Sequence, residues 1–204
     1  MKRTLLRFAS ALAVGIALGC ASENLVQDRG VGGSEQEIAV RKVAVVAFQA
    51  APRAGAGPLR EDAAALVGSY VADAFSARGF DTVPPSDVVQ ALGDAATGVG
   101  AVRQAADHFG ADVVAIGTVY RFRDRSGQAM GSTHAASVGF EVRLFTADGK
   151  PVAAKVFDHT QVALTENALV ARQYPGGGTR WLTVEELARW AATRVVGAFR
   201  LTPR

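Results

Sequence analysis

The residues of this 204-residue chain best suited to acid–base or metal chemistry are its three histidines, His108, His134 and His159. His108 falls near the end of a predicted helix, His134 at the entrance to a predicted strand and His159 in a later strand. The last two are about three residues, or ~10 Å, apart along a ladder, too far to share a metal ion. Serine, histidine and aspartate all occur, but no Gly-x-Ser-x-Gly elbow presents a nucleophile. Asp107, Asp112, Asp124 and Asp158 lack the spacing of a calcium loop or of paired glycosidase carboxylates. Gly55-Ala56-Gly57 stands between an apolar run and a helical pattern, where a phosphate-binding loop would be. Arg60 takes its third glycine position, however, and no acidic residue ends the next strand. Spacing alone therefore predicts no cofactor, no metal and no catalytic set, and the reading is a binding protein, not an enzyme.

The remaining reactive side chain is the single cysteine, Cys20. It follows the basic segment Met1-Lys2-Arg3-Thr4-Leu5-Leu6-Arg7 and an apolar run from Phe8 to Gly19. That run is well short of the ~20 apolar residues of a spanning helix, so residues 1–19 read as a secretory signal peptide. Leu18-Gly19-Cys20 resembles the lipobox of bacterial lipoproteins, with Ala17 where that family most often has Leu. The resemblance implies that the Cys20 thiol takes a diacylglyceryl group and becomes the mature N-terminus. Two or three palmitate-like chains would hold the membrane persistently, where one chain binds only marginally. The other reading of Ala17-x-Gly19 is an ordinary small-x-small cleavage site that leaves Cys20 a free thiol. Ala21 after Cys20 implies the outer membrane, because the lipoprotein family's inner-membrane retention signal is usually Asp there.

Composition sharpens this address. Lys and Arg total 22 against 19 Asp and Glu, but Lys2, Arg3 and Arg7 precede Cys20, so the mature chain is 19 against 19. A basic surface for nucleic acid or anionic lipid gains no support from that balance. With Cys20 the only cysteine, an intramolecular disulfide is impossible even in an oxidising compartment, and a packed core must supply stability. The stretch from Ala21 to about Val40 is glycine-containing, charged and aperiodic, and reads with Cys20 as a flexible tether over 20–40 with a reach of about 25 Å. Residues 41–204 suit one domain.

The elements that must position any site follow from periodicity. Lys42 to Phe48 is an apolar run suited to a strand buried on both faces. Pro58 can open a first helix that ends at Gly79, and Phe80-Asp81-Thr82-Val83 makes a short strand before Pro84-Pro85. Ser86 can cap a brief helix, and a further helix runs from about Val99 to Phe109. Ala111 to Tyr120 is the most apolar strand and the predicted centre of the sheet, left by an exposed loop over 121–133. Two long strands flank Ala147-Asp148-Gly149, and a three-residue loop with Gly149 in the left-handed region sets Glu141 opposite Lys155, His134 opposite Val162 and His159 opposite Ser137. Thr183 and Glu186 form a capping box for the last helix, with Leu182 stapling onto Leu187. The order predicts a single α/β domain: a mixed sheet of about five strands, with parallel crossovers, a C-terminal antiparallel hairpin and packed helices.

Three parts of this pattern resemble the CsgG, LpoB and TolB N-terminal-like group of envelope lipoproteins: Lys42 to Phe48, with Ala47 where the group often has Pro; Gly110 to Val119; and Val142 to Val152. The resemblance spans roughly residues 42–200. It implies an envelope accessory role without catalysis, in secretion, transport or peptidoglycan-synthase regulation. The long hairpin is consumed by the sheet, which argues against a membrane pore, and the short tether weakens a far-reaching synthase activator. The expectation is an outer-membrane lipoprotein whose domain faces the periplasm and binds an envelope protein, with a homo-oligomer possible. The rival is an envelope hydrolase whose site assembles only on folding. The segment from Arg172 to Trp181, with three consecutive glycines between Tyr174 and Trp181, is the expected contact surface, although Trp in such a place is more often a staple for the following helix than a partner contact.

Overall fold

Val43 and Val45 enter one apolar layer while Ala44 and Val46 enter a second, and all four are fully buried. A strand covered on both faces requires this alternation. The structure, a computed structural model, describes residues 24–30, 37–54, 57–93 and 96–204. Its elements in chain order are β1 (Val26–Asp28), β2 (Ile38–Val40), β3 (Lys42–Val45), β4 (Gln49–Ala50), α1 (Ala63–Ala77), β5 (Asp81–Val83), α2 (Pro85–Leu92) and α3 (Ala101–Phe109). There follow β6 (Val113–Arg123), β7 (Ser126–Gln128), β8 (Gly131–His134), β9 (Ser137–Thr146), β10 (Pro151–Thr160), α4 (Ala168–Ala171), α5 (Val184–Gly197) and β11 (Leu201–Pro203). They form a single α/β domain with a mixed sheet. Among the described residues no helix is long and apolar enough to cross a membrane.

Among the described residues the sheet has seven strands where about five were expected, in the order β1-β10-β9-β6-β3-β5, with β4 also beside β6. β3, β4 and β5 give it a parallel half, and β9, β10 and β1 an antiparallel one. Helices α1 and α5 pack together against one face through Val67, Val71, Phe75, Leu187, Ala191 and Val195. On the other face α2 and α3 cover β3 and β6 through Val88, Val102 and Ala105.

Local capping departs from the sequence reading at two helix starts. Pro58 precedes α1, which begins only after Asp62, and α2 begins at Pro85 with Pro84 rather than Ser86 at its N-cap. At α5 the capping box forms as read: Glu186 N donates to Thr183 Oγ1 at 3.2 Å and Thr183 N to Glu186 Oε2 at 2.9 Å.

Two expectations are overturned. Part of the tether is structure: β1 extends the sheet edge with Leu25 and Val26 buried, and β2 pairs in parallel with β11 and buries Val40. The hairpin register also differs. Gly149 has φ +83° and Thr146 N donates to Lys150 O, as a three-residue loop requires, but the pairing slips by one residue at Val152. Beyond that bulge Lys155 faces Val142, Glu141 faces Val156, and His159 faces Val138. A bulge inserts one unpaired residue, which turns every later side chain to the opposite face. His134 pairs instead with Ser126 in the β7–β8 ribbon, into which the expected 121–133 loop is folded.

Candidate functional site

A second bulge shapes the main concavity. In β6, Val119 faces Phe140 and Arg121 faces Gly139, leaving Tyr120 as the extra residue. Before it, Val113, Ala115 and Val119 enter the layer under α1 and α5; after it Phe122 does. The reversal sends Arg121 and Arg123 to the opposite face, past the cover of α2 and α3. There β9, β10 and β1 contribute the polar positions Glu141, Arg143, Asp158 and Gln27, since Gln27 faces Val156, Val156 faces Glu141 and Asp158 faces Gly139. Gly139 leaves room at the crossing: a Cβ on it would stand 2.6 Å from Asp158 Oδ1 and 3.4 Å from Arg121 Cβ.

The resulting groove has a volume of about 610 Å³ and is bordered by Arg53, Tyr120, Arg121, Arg123, His134, Ser137, Asp158 and Thr160, among others. It lies beyond the C-terminal end of β6, the side of an open α/β sheet where ligands usually bind. Asp158 takes Arg53 Nη1 at 2.8 Å on one oxygen and Arg121 Nη2 at 2.7 Å on the other. The Arg53 guanidinium lies 4.0 Å above the Tyr120 ring. Arg121 Nε is buried with no hydrogen-bond partner among the described residues. Along the described border three arginines stand against the one carboxylate of Asp158.

Tyr120 donates its hydroxyl to Glu141 Oε2 at 2.6 Å. Burial, followed by that bond to a carboxylate, pushes its pKa up to about 12, so the phenol stays a neutral donor at physiological pH and is no base. Arg143 Nε stands 3.4 Å from Glu141 Oε1, so that carboxylate is shared between Tyr120 and Arg143. Guanidinium forks beside serine and threonine hydroxyls suit phosphate or carboxylate oxygens. His134 and Ser137 both border the groove, but no hydrogen bond joins them. Among the described residues no group of three or more His, Cys, Asp or Glu is placed to hold a metal ion.

Tyr174 and Trp181, proposed from sequence, lie elsewhere. Cys20 falls outside the described residues. Tyr174 is a correction: it is only 2% exposed, its hydroxyl 2.6 Å from His159 Nε2 and its ring edge-on to Trp190 at 5.2 Å. The glycines after it adopt positive φ in a 3-10 turn, Pro175–Gly178, which folds back on Ala171 and drives the tyrosine inward. Trp181 is half-buried beside a smaller cleft of about 150 Å³ that includes Met130 and Leu164. Leu182, fully buried, is the apolar residue at the start of α5. Tyr174 and Trp181 therefore do not form one exposed surface. Sequence reading missed the groove, whose only local trace is Arg121-x-Arg123 at the end of the most apolar strand.

No protein-family model matches the chain, and no curated protein does. Solved structures do. The PelC dodecamer from Paraburkholderia phytofirmans, in space group P6, superposes with a TM-score of 0.54 at 18% identity over 86% of this chain and 96% of that one. A substituted PelC dodecamer in space group C2 gives 0.53 at 19% identity, over 83% and 94%. This chain shares the PelC fold. A lipoprotein from Neisseria meningitidis, GNA1162, aligns at a TM-score of 0.43 and 17% identity over 59% of this chain and 83% of that one.

Proposed function

We propose that the mature chain is a non-catalytic binding and assembly subunit of the bacterial envelope, anchored to the outer membrane by acyl chains on Cys20 and working as a homo-oligomer on the periplasmic side. The observation that carries this reading is the likeness in fold, over 83–86% of this chain, to PelC, a protein crystallised as a dodecamer. The tight Asp158 pairing and the unreactive Tyr120 favour recognition over bond-breaking chemistry.

The test is the mass of the detergent-solubilised full chain by light scattering and native mass spectrometry. The expected result is a discrete oligomer. A monomer at every concentration would overturn the assembly part of the reading. Detergent-phase partitioning of the wild type against Cys20→Ser tests the anchor: the wild type should enter the detergent phase and the variant should not.

A further inference from the structure

The groove and the start of the described chain lie at the same end of the sheet. β1 runs antiparallel to β10 with Val26 opposite Phe157 and Asp28 opposite Lys155, so the chain before Val26 leads toward Asp158 and Thr160, two residues of the groove wall. Neighbouring strands are about 5 Å apart. Cys20 precedes Asn24, the first described residue, by four positions, a span of about 14 Å when fully extended. An anchor on Cys20 therefore holds this end of the domain, and not the end that carries Asp112 and Arg204, against its membrane. β6 separates those ends by its 11 residues, about 35 Å.

The geometry points to a docking site for lipid phosphates: Arg53, Arg121 and Arg123 face the anionic headgroups of the leaflet that holds the anchor and fix the orientation of the domain on it. The inference rests on the anchored reading above. Guanidinium groups match phosphate oxygens in a planar fork, and charges this near a leaflet lie within about two Debye lengths of it, ~8 Å each at physiological salt. The direction of Arg121 follows from the Tyr120 bulge and the missing side chain of Gly139, so the charge is aimed by the backbone. A second acidic protein is the competing occupant.

The test separates docking from anchoring by using residues 21–204, which keep every described element and lack Cys20. Sedimentation with phosphatidylcholine vesicles is compared with vesicles that also contain phosphatidylglycerol. Binding should require the anionic lipid and weaken as salt rises. Arg53→Gln and Arg123→Gln should each reduce partitioning about fivefold, and together about 25-fold, whereas Arg204→Gln at the far end should leave it unchanged. Thermal melts check that each variant folds. Equal binding to both vesicles, binding to neither, or equal losses from Arg204→Gln and Arg123→Gln would overturn the inference. So would displacement by millimolar inorganic phosphate but not by sulfate at matched ionic strength, which would assign the groove to a free anion. Failure of the full chain to enter the detergent phase would refute the anchor alone, because vesicle binding is measured without it.

Discussion

Lys155 Nζ stands 2.7 Å from an Asp28 carboxylate oxygen, joining the edge strand β1 to the sheet. The ammonium side is almost enclosed, at 6% exposure, while the carboxylate side is open at 61%. Lys155 points inward because it faces Val142, and its ammonium lies 6.0 Å from the Phe199 ring.

Asp28→Ala should cost about 1–2 kcal/mol, because it withdraws an ion partner from a largely desolvated ammonium. Lys155→Met, which keeps the stem and removes the charge, should be neutral or stabilising, since a buried charge is weak evidence of stability. Urea midpoints at constant slope check both. An Asp28→Ala midpoint equal to wild type would show that β1 does not lock onto β10.

Gly117, in the middle of β6, lies under Phe48, and a Cβ there would overlap the ring. Phe48 is itself buried in the main core. Gly117→Ala should cost about 2–3 kcal/mol by overpacking. In the Phe48→Leu background the same change should cost less, and a double-mutant cycle measured by denaturation gives the coupling. Additive costs would mean that the ring yields freely.

What was legible in the sequence is what local chemistry fixes. The two-sided burial of the apolar run Val43 to Val46, the Thr183–Glu186 capping box and the left-handed Gly149 each depend on a few adjacent residues, and each stands in the structure as read. The hairpin register failed although its loop was read correctly, because nothing around Val152 signals a bulge. β1 has three residues and little apolar pattern, so only its partner strand makes it a strand. The groove joins Arg53 to Asp158 across 105 positions, a meeting that no local pattern encodes. Glycines around Tyr174 suggested exposure; composition carries no information about which way the tyrosine points.

Tyr174 should accordingly behave as a core residue. Tyr174→Ala removes a ring packed on Trp190 and should cost about 3–5 kcal/mol. Tyr174→Phe keeps the ring but loses the contact with His159 and the bond that accepts from Val162 N at 3.3 Å, a cost of about 1–2 kcal/mol. Thermal unfolding checks the ranking. A Tyr174→Ala melt within error of wild type would return the residue to the surface.

Bidentate hydrogen bonding from Arg180, at 2.7 Å to each oxygen, is the largest cause holding the Glu186 carboxyl down at about 2, with the Thr183 N–H adding to it and partial burial opposing it. The folded pKa lies below the unfolded value of about 4.3, so the folded state binds its proton less readily. The stabilisation is complete above that unfolded pKa and disappears as pH falls from about 4.3 through about 2. Because the Glu186 side chain is 40% exposed, solvent screens much of the pair, and a contribution of about 1 kcal/mol is expected. Glu186→Gln should therefore be less stable than wild type near neutrality by about that amount, and the gap should close toward about pH 2. High salt should narrow it as well, leaving the part that belongs to the cap. Urea unfolding of both proteins across this range gives the comparison directly. A gap that stays constant with pH would place the value of Glu186 in its neutral hydrogen bonding and not in its charge.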